Sequence, residues 1–217
     1  MERMDERAQA LLTAWVQGLQ ECFGGRIRLA ALVGSQARGE AGPESDVDLN
    51  VVLDHVEEAD VEAMARLVEA LPYRELACGW LGGLDELEAW PLWDHVGTYM
   101  AYRVLLGSMD VLPPLTDRML IDSVAANLAA LSHALRYRRI YGGDRAQAAE
   151  KALGEKKAIG HTLRAYRMLC GRNPAFQGDP LDEEVMALTS ETPAEQILSV
   201  CERWAASLLR RLGAAMA

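Results

Sequence analysis

Apolar and polar positions follow two different periods along this chain, and the change of period divides it. From about Asp5 to Cys22, Ala8, Leu11, Leu12, Trp15, Val16 and Leu19 recur at the 3.6-residue spacing of one helix face, and Gly24-Gly25 ends the pattern. Ile27 to Val33 is a short apolar run stopped by Gly34, which predicts a buried strand. A loop rich in Gly, Pro and Ser, residues 39–45, leads to a second strand, Val47 to Leu53. Helical spacing returns from Ala59 to Leu71, with Val61, Met64, Leu67, Val68 and Leu71 on one face, and Pro72 breaks it. Tyr73 to Trp80 reads as a third strand, Leu84 to Trp90 as a short helix, and Tyr102 to Leu106 as a further strand.

Pro113-Pro114 marks the expected domain boundary, giving domains at 1–112 and 113–217. Beyond it the pattern is helical: one helix over about Asp117 to Tyr137 and another over about Ala146 to Cys170. A last helix opens at Thr192-Pro193-Ala194-Glu195, where Thr can cap, Pro suits the first turn and Glu completes a capping box. Its apolar stripe is Ile197, Cys201, Trp204, Leu208 and Leu212. The expected architecture is a small α/β domain followed by a helical bundle.

Composition narrows the function classes. With 50% hydrophobic and 25% charged residues in 217, the chain is globular rather than disordered or fibrous. No apolar run approaches the roughly 20 residues of a membrane span, and the charged start Met1-Glu2-Arg3-Met4-Asp5 is unlike a signal peptide. A soluble, cytoplasmic protein with no membrane association is expected. The net charge of −10 is uneven: residues 1–115 hold 8 Lys+Arg against 20 Asp+Glu, and residues 116–217 hold 14 against 12. So acidic a first half repels nucleic-acid phosphates, and general nucleic-acid binding is not expected. It can still handle phosphate chemistry if cations sit between carboxylates and phosphates. Cys22, Cys78, Cys170 and Cys201 form no CxxC pair and read as reduced thiols, mostly filling the core. His55, His95, His133 and His161 show no metal-ligand spacing.

The informative stretch is Leu32-Val33-Gly34-Ser35-Gln36-Ala37-Arg38-Gly39, followed by Ser45-Asp46-Val47-Asp48-Leu49. Residues two apart on a strand share a face, so Asp46 and Asp48 project together and can share a divalent cation. Hard oxygen ligands, with no thiol or imidazole nearby, suit Mg²⁺ or Mn²⁺ rather than Zn²⁺. Gly34 lets a phosphate approach the backbone, Ser35 adds a hydroxyl donor, and the N–H groups that follow would point at the anion. A phosphate cradle beside a two-carboxylate cation site is what nucleotidyl transfer needs.

Gly34-Ser35, ten intervening residues and Asp46-Val47-Asp48 resemble the signature of the nucleotidyltransferase superfamily related to DNA polymerase beta. The fuller form Gly-Ser-x-Ala-Arg-Gly with Ser-Asp-x-Asp-Leu is similar to small bacterial members, among them the kanamycin and streptomycin nucleotidyltransferases and the minimal nucleotidyltransferases. The resemblance covers residues 27–53. It implies an α/β (α+β) nucleotidyltransferase fold, a small mixed sheet with flanking helices, plus a C-terminal all-α helical bundle that binds substrate. It also implies that Asp46 and Asp48 are catalytic metal ligands and that Ser35, with the Gly34 backbone, holds the β- and γ-phosphates. Arg38 is a further candidate phosphate contact. Active members carry a third carboxylate on a later strand. Glu75, on the expected third strand, is the first candidate, with Asp110, Asp85 and Asp94 as alternatives.

Other residues carry bland readings beside sharper ones. Lys157, His161 and Arg164 share one helix face and could meet a triphosphate or simply face solvent, with Lys156 and Arg167 flanking. Trp80, Trp90, Trp93, Tyr99 and Tyr102 read as core or interface packing, with one or two able to stack on adenine. The expected reaction moves a nucleoside monophosphate, AMP from ATP by family habit, to a hydroxyl of a small polar acceptor with release of pyrophosphate. An aminoglycoside-like acceptor suits the acidic first half. The alternatives are an antitoxin-like enzyme that AMPylates protein and a degenerate module that only binds nucleotide. A homodimer stays open.

Overall fold

The computed structural model describes residues 4–216 and divides the chain into two compact units, Met1–Pro114 and Leu115–Ala217. The first unit begins with α1, Glu6–Phe23, whose N-terminus is capped by the Asp5 carboxylate accepting from the Arg7 N–H at 2.9 Å. Strand β1, Ile27–Val33, runs into the one-turn helix α2, Gly34–Arg38, which ends at the left-handed Gly39. Strand β2, Val47–Leu53, pairs antiparallel with β1, so that Val33 sits opposite Asp48 and Ala31 opposite Asn50. Helix α3, Glu58–Ala70, carries the chain over one sheet face to β3, Ala77–Gly83, which pairs in parallel with β2. Short helices α4, Leu84–Leu87, and α5, Val96–Met100, precede β4, Arg103–Gly107, which pairs antiparallel with β1. The sheet order is β3-β2-β1-β4. This is the mixed sheet with flanking helices expected of the nucleotidyltransferase fold.

Strand alternation sorts the sheet into two faces. Ala30 and Leu32 of β1, with Val47, Leu49, Val51 and Leu53 of β2, bury against Leu11, Leu12, Trp15 and Leu19 of α1 and the partly buried Met64, Leu67 and Val68 of α3. Leu29, Ala31 and Val33 with Val52 turn the other way, onto Leu87, Leu112, Trp80, Trp90 and Tyr99. Trp80 and Trp90 have ring centroids 5.3 Å apart, and Trp90 stacks on the buried His95. These aromatics therefore pack inside the first unit. Asn50 is on this second face too, and its buried Nδ2 donates to Thr98 Oγ1 of α5 at 2.9 Å. At the far end of β1, Arg26 donates to Asp54 and, through two nitrogens, to Asp60. That fork ties the strand end to the first turn of α3.

The second unit contains α6, Asp117–Tyr141; α7, Arg145–Gly154; α8, Lys156–Arg172; α9, Leu181–Ala187; and α10, Ala194–Met216. Its core brings together Leu120, Val124, Leu128 and Leu135 of α6, Ile159, Leu163, Tyr166 and Leu169 of α8, and Ile197, Trp204, Leu208 and Leu212 of α10. Trp204 Nε1 donates to the buried Asp182 carboxylate at 2.8 Å, pinning α9 to α10.

Four expectations need correction. The helix expected over 146–170 is two helices, because the backbone turns at Gly154-Glu155 even though the apolar spacing continues. The segment 181–187 forms a helix that was not foreseen. Helix α10 starts at Ala194, so Pro193 and not Thr192 stands before it; the Thr192 hydroxyl instead accepts from the Thr189 N–H. The third strand starts four residues late, because Tyr73 takes a left-handed conformation (φ 56°) and Arg74–Leu76 forms a 3₁₀ turn. Among the described residues, no helix is long and apolar enough to cross a membrane.

Candidate functional site

The site is built where β1 ends and β2 begins. Val33 and Asp48 are cross-strand partners, so the Asp48 side chain stands beside the residue that opens the Gly34-Ser35 turn. Gly34 has φ +70°, and a Cβ there would lie 2.2 Å from Asp48 Oδ2 and 3.1 Å from its Cγ. Only a residue without a side chain lets the turn and the carboxylate approach this closely. Gly34 and Ser35 are both half-buried at the start of α2.

Asp46 immediately precedes β2. Its loop is braced by reciprocal bonds, Gly42 N–H to Ser45 Oγ at 2.9 Å and Ser45 N–H to Gly42 O at 3.0 Å. Arg7 of α1 adds donation to the Pro43 carbonyl at 2.8 Å and to Glu44 at 3.2 Å. Asp46 and Asp48 are half-buried, and their carboxylate oxygens lie together on one side of the sheet.

A third side chain joins them, and it is a thiol. The parallel register places Cys78 of β3 beside Asp48 of β2. Among the described residues, Asp46, Asp48 and Cys78 form a trio whose ligand atoms all lie within 4.8 Å of one another. Two donors on one small cation stand no more than roughly 4.5 Å apart, so slight side-chain rotation suffices. Partial burial of its sulfur, the hydrogen bond to Asp48 and the charges of Asp48 and Asp46 all push the Cys78 thiol above its ordinary range. The expectation of no thiol near the aspartates is thus overturned. Nor are the cysteines mostly core: Cys22 and Cys78 are exposed, Cys170 is half-buried and Cys201 alone is buried.

The remaining candidates lie elsewhere. Glu75 is exposed on the 3₁₀ turn before β3 rather than on the strand, and its charge helps raise the Arg7 guanidinium. It is not in the trio, and neither are Asp85, Asp94 and Asp110, all exposed. Arg38, at the end of α2, has its Nε 2.7 Å from Glu40 Oε2. Lys157 is exposed and Arg164 half-buried on α8 of the second unit.

The donor set fits a divalent cation. Two carboxylates meet the oxygen preference of Mg²⁺ or Mn²⁺, while a thiol in third place is atypical for Mg²⁺.

Comparison with known proteins bears on the same segment. Residues 16–88 match the family model described as a nucleotidyltransferase domain, a span running from α1 to the end of α4. Curated proteins give no significant match. Among solved structures, the chain resembles a spectinomycin adenyltransferase from Enterococcus faecialis, solved with ATP and spectinomycin, at 10% identity and a TM-score of 0.49. The likeness covers 94% of this chain and 98% of that one, and is too loose to decide substrate or acceptor. The segment that joins the Gly34-Ser35 turn to Asp46, Asp48 and Cys78 thus lies wholly within the residues that match a nucleotidyltransferase domain.

Proposed function

We propose that the first unit transfers a nucleoside monophosphate, AMP from ATP, to a hydroxyl of a small polar acceptor and releases pyrophosphate. The observation that carries this reading is the close approach of Gly34 to Asp48, which brings the Gly34-Ser35 turn against a pair of carboxylates able to hold a cation. Asp46 and Asp48 hold the cation, whose charge when bound offsets that of the triphosphate and of the leaving pyrophosphate. Gly34 lets the turn close onto Asp48, and the Ser35 hydroxyl at that turn donates to the phosphate tail. The excess of acidic residues in the first half favours a cationic acceptor, of which an aminoglycoside-like compound is the simplest type. Asp48→Asn should lower pyrophosphate release on the order of 10³-fold with an unchanged circular-dichroism spectrum. Undiminished release in that variant would end the reading.

One observation favours a second reading. Because the trio ends in Cys78 rather than a carboxylate, no third carboxylate among the described residues joins the pair to take the acceptor proton. The domain would then bind nucleotide without turnover. Tight binding of MgATP with no pyrophosphate released across a broad acceptor panel distinguishes it from the first.

A further inference from the structure

Resting on the cation site just described, we propose that Cys78 is its third protein ligand and turns it into a mixed carboxylate–thiolate centre. Such a centre takes a thiophilic divalent cation of the Co²⁺, Zn²⁺ and Cd²⁺ class in preference to Mg²⁺.

Three features carry the assignment. The first is register: in parallel pairing, Asp48 and Cys78 are lateral neighbours on the same sheet face, so sulfur and carboxylate reach one point without any loop having to move. The second is reach, since the sulfur and one oxygen from each aspartate fall within 4.8 Å of one another. The third is donor chemistry. Mg²⁺ wants oxygen donors and dehydrates reluctantly, whereas thiolate selects zinc-like ions, with a Zn–S distance of about 2.3 Å. Two carboxylates and one sulfur supply three of the four positions of a tetrahedral centre. The fourth stays open to water or a phosphate oxygen, the arrangement of catalytic rather than structural zinc sites. On coordination the cation replaces the thiol proton, which passes to buffer.

Co²⁺ titration of the full chain tests this, followed by its optical spectrum in a Cys22→Ser/Cys170→Ser background that removes the other accessible thiols. The expected result is a sulfur-to-cobalt charge-transfer band that saturates with one ion. In Cys78→Ser the band disappears and Co²⁺ and Cd²⁺ affinity falls by about 10- to 100-fold or more, while Mn²⁺ binding, read by electron paramagnetic resonance, persists through the aspartates. Cys78→Asp should also lose the band and should gain Mg²⁺ affinity, which separates ligand chemistry from damage to the strand. Saturable Mn²⁺ binding without any sulfur-to-cobalt band would overturn the Cys78 assignment and leave the two-aspartate site intact. Absence of Mn²⁺ binding in wild type, or its survival unchanged in Asp48→Asn, would overturn the cation site and this inference with it.

Discussion

Replacing Gly34 by alanine probes the closest approach in the site, and a second glycine supplies its control. Both Gly34 (φ +70°) and Gly39 (φ +71°) are left-handed, so alanine costs about 1–2 kcal/mol of backbone strain at either position. Their surroundings differ. At Gly39 an added Cβ meets nothing within 4 Å, whereas at Gly34 it stands 2.2 Å from Asp48 Oδ2. Ordinary contact begins near 3.4 Å, so the Asp48 carboxylate must retreat by about 1.2 Å, the difference of the two distances. A misplacement of roughly 1 Å at a reacting centre costs on the order of 10²-fold in rate. Thermal melts should show the backbone cost in both variants, about 4–8 °C per kcal/mol for a unit of this size, with any further loss confined to Gly34→Ala. Pyrophosphate release and Mn²⁺ affinity should collapse in Gly34→Ala alone. If Gly34→Ala and Gly39→Ala lose activity equally, or if neither does, the close packing of turn and carboxylate is not what organises the site.

Other expectations follow from contacts at a distance from the cation. Hydrogen bonding from Arg26 and from the Glu57 N–H holds the Asp60 carboxyl down at about 2. Its folded value lies below the ordinary 3.8, so its stabilising contribution is complete above about pH 4 and is lost as pH falls toward 2. Asp60→Asn should flatten that acid-side loss in melts recorded between those pH values, and an unchanged slope would contradict it. Asn50→Ala strands the buried Thr98 hydroxyl and should cost about 1–3 kcal/mol in urea unfolding, with the Asn50→Ala/Thr98→Val pair costing less than the sum of the singles.

How far the sequence foretold this structure differs element by element. Strands β1 and β2 fall on the residues expected, because each is a dense apolar run closed by a residue that cannot continue it, Gly34 and Asp54. Strand β3 was misplaced because Gly79, Gly82 and Gly83 give it poor strand propensity. What makes it a strand is its pairing with β2, a tertiary fact that no local window contains. The same pairing hid Cys78. The residue lies inside the expected strand, yet its partnership with Asp48 depends on register, and the 23 residues of helix and turn between Leu53 and Ala77 conceal that register. The split between α7 and α8 had one visible sign, Gly154, but Ala152 and Ile159 keep the helical spacing across it. Asp46 and Asp48 were legible because period two on a strand needs no long-range information.

The antiparallel pairing of β1 with β2 has a consequence for assembly. Gly34 directly follows β1 and the two aspartates sit at the start of β2, with one short connection between them, so a local closure early in folding brings them together. The thiol arrives only after the crossover through α3 has docked β3 alongside. A nascent or partly melted chain would thus hold an oxygen-only ion pocket first and acquire its sulfur last, and the metal it favours would report how far the sheet has been completed.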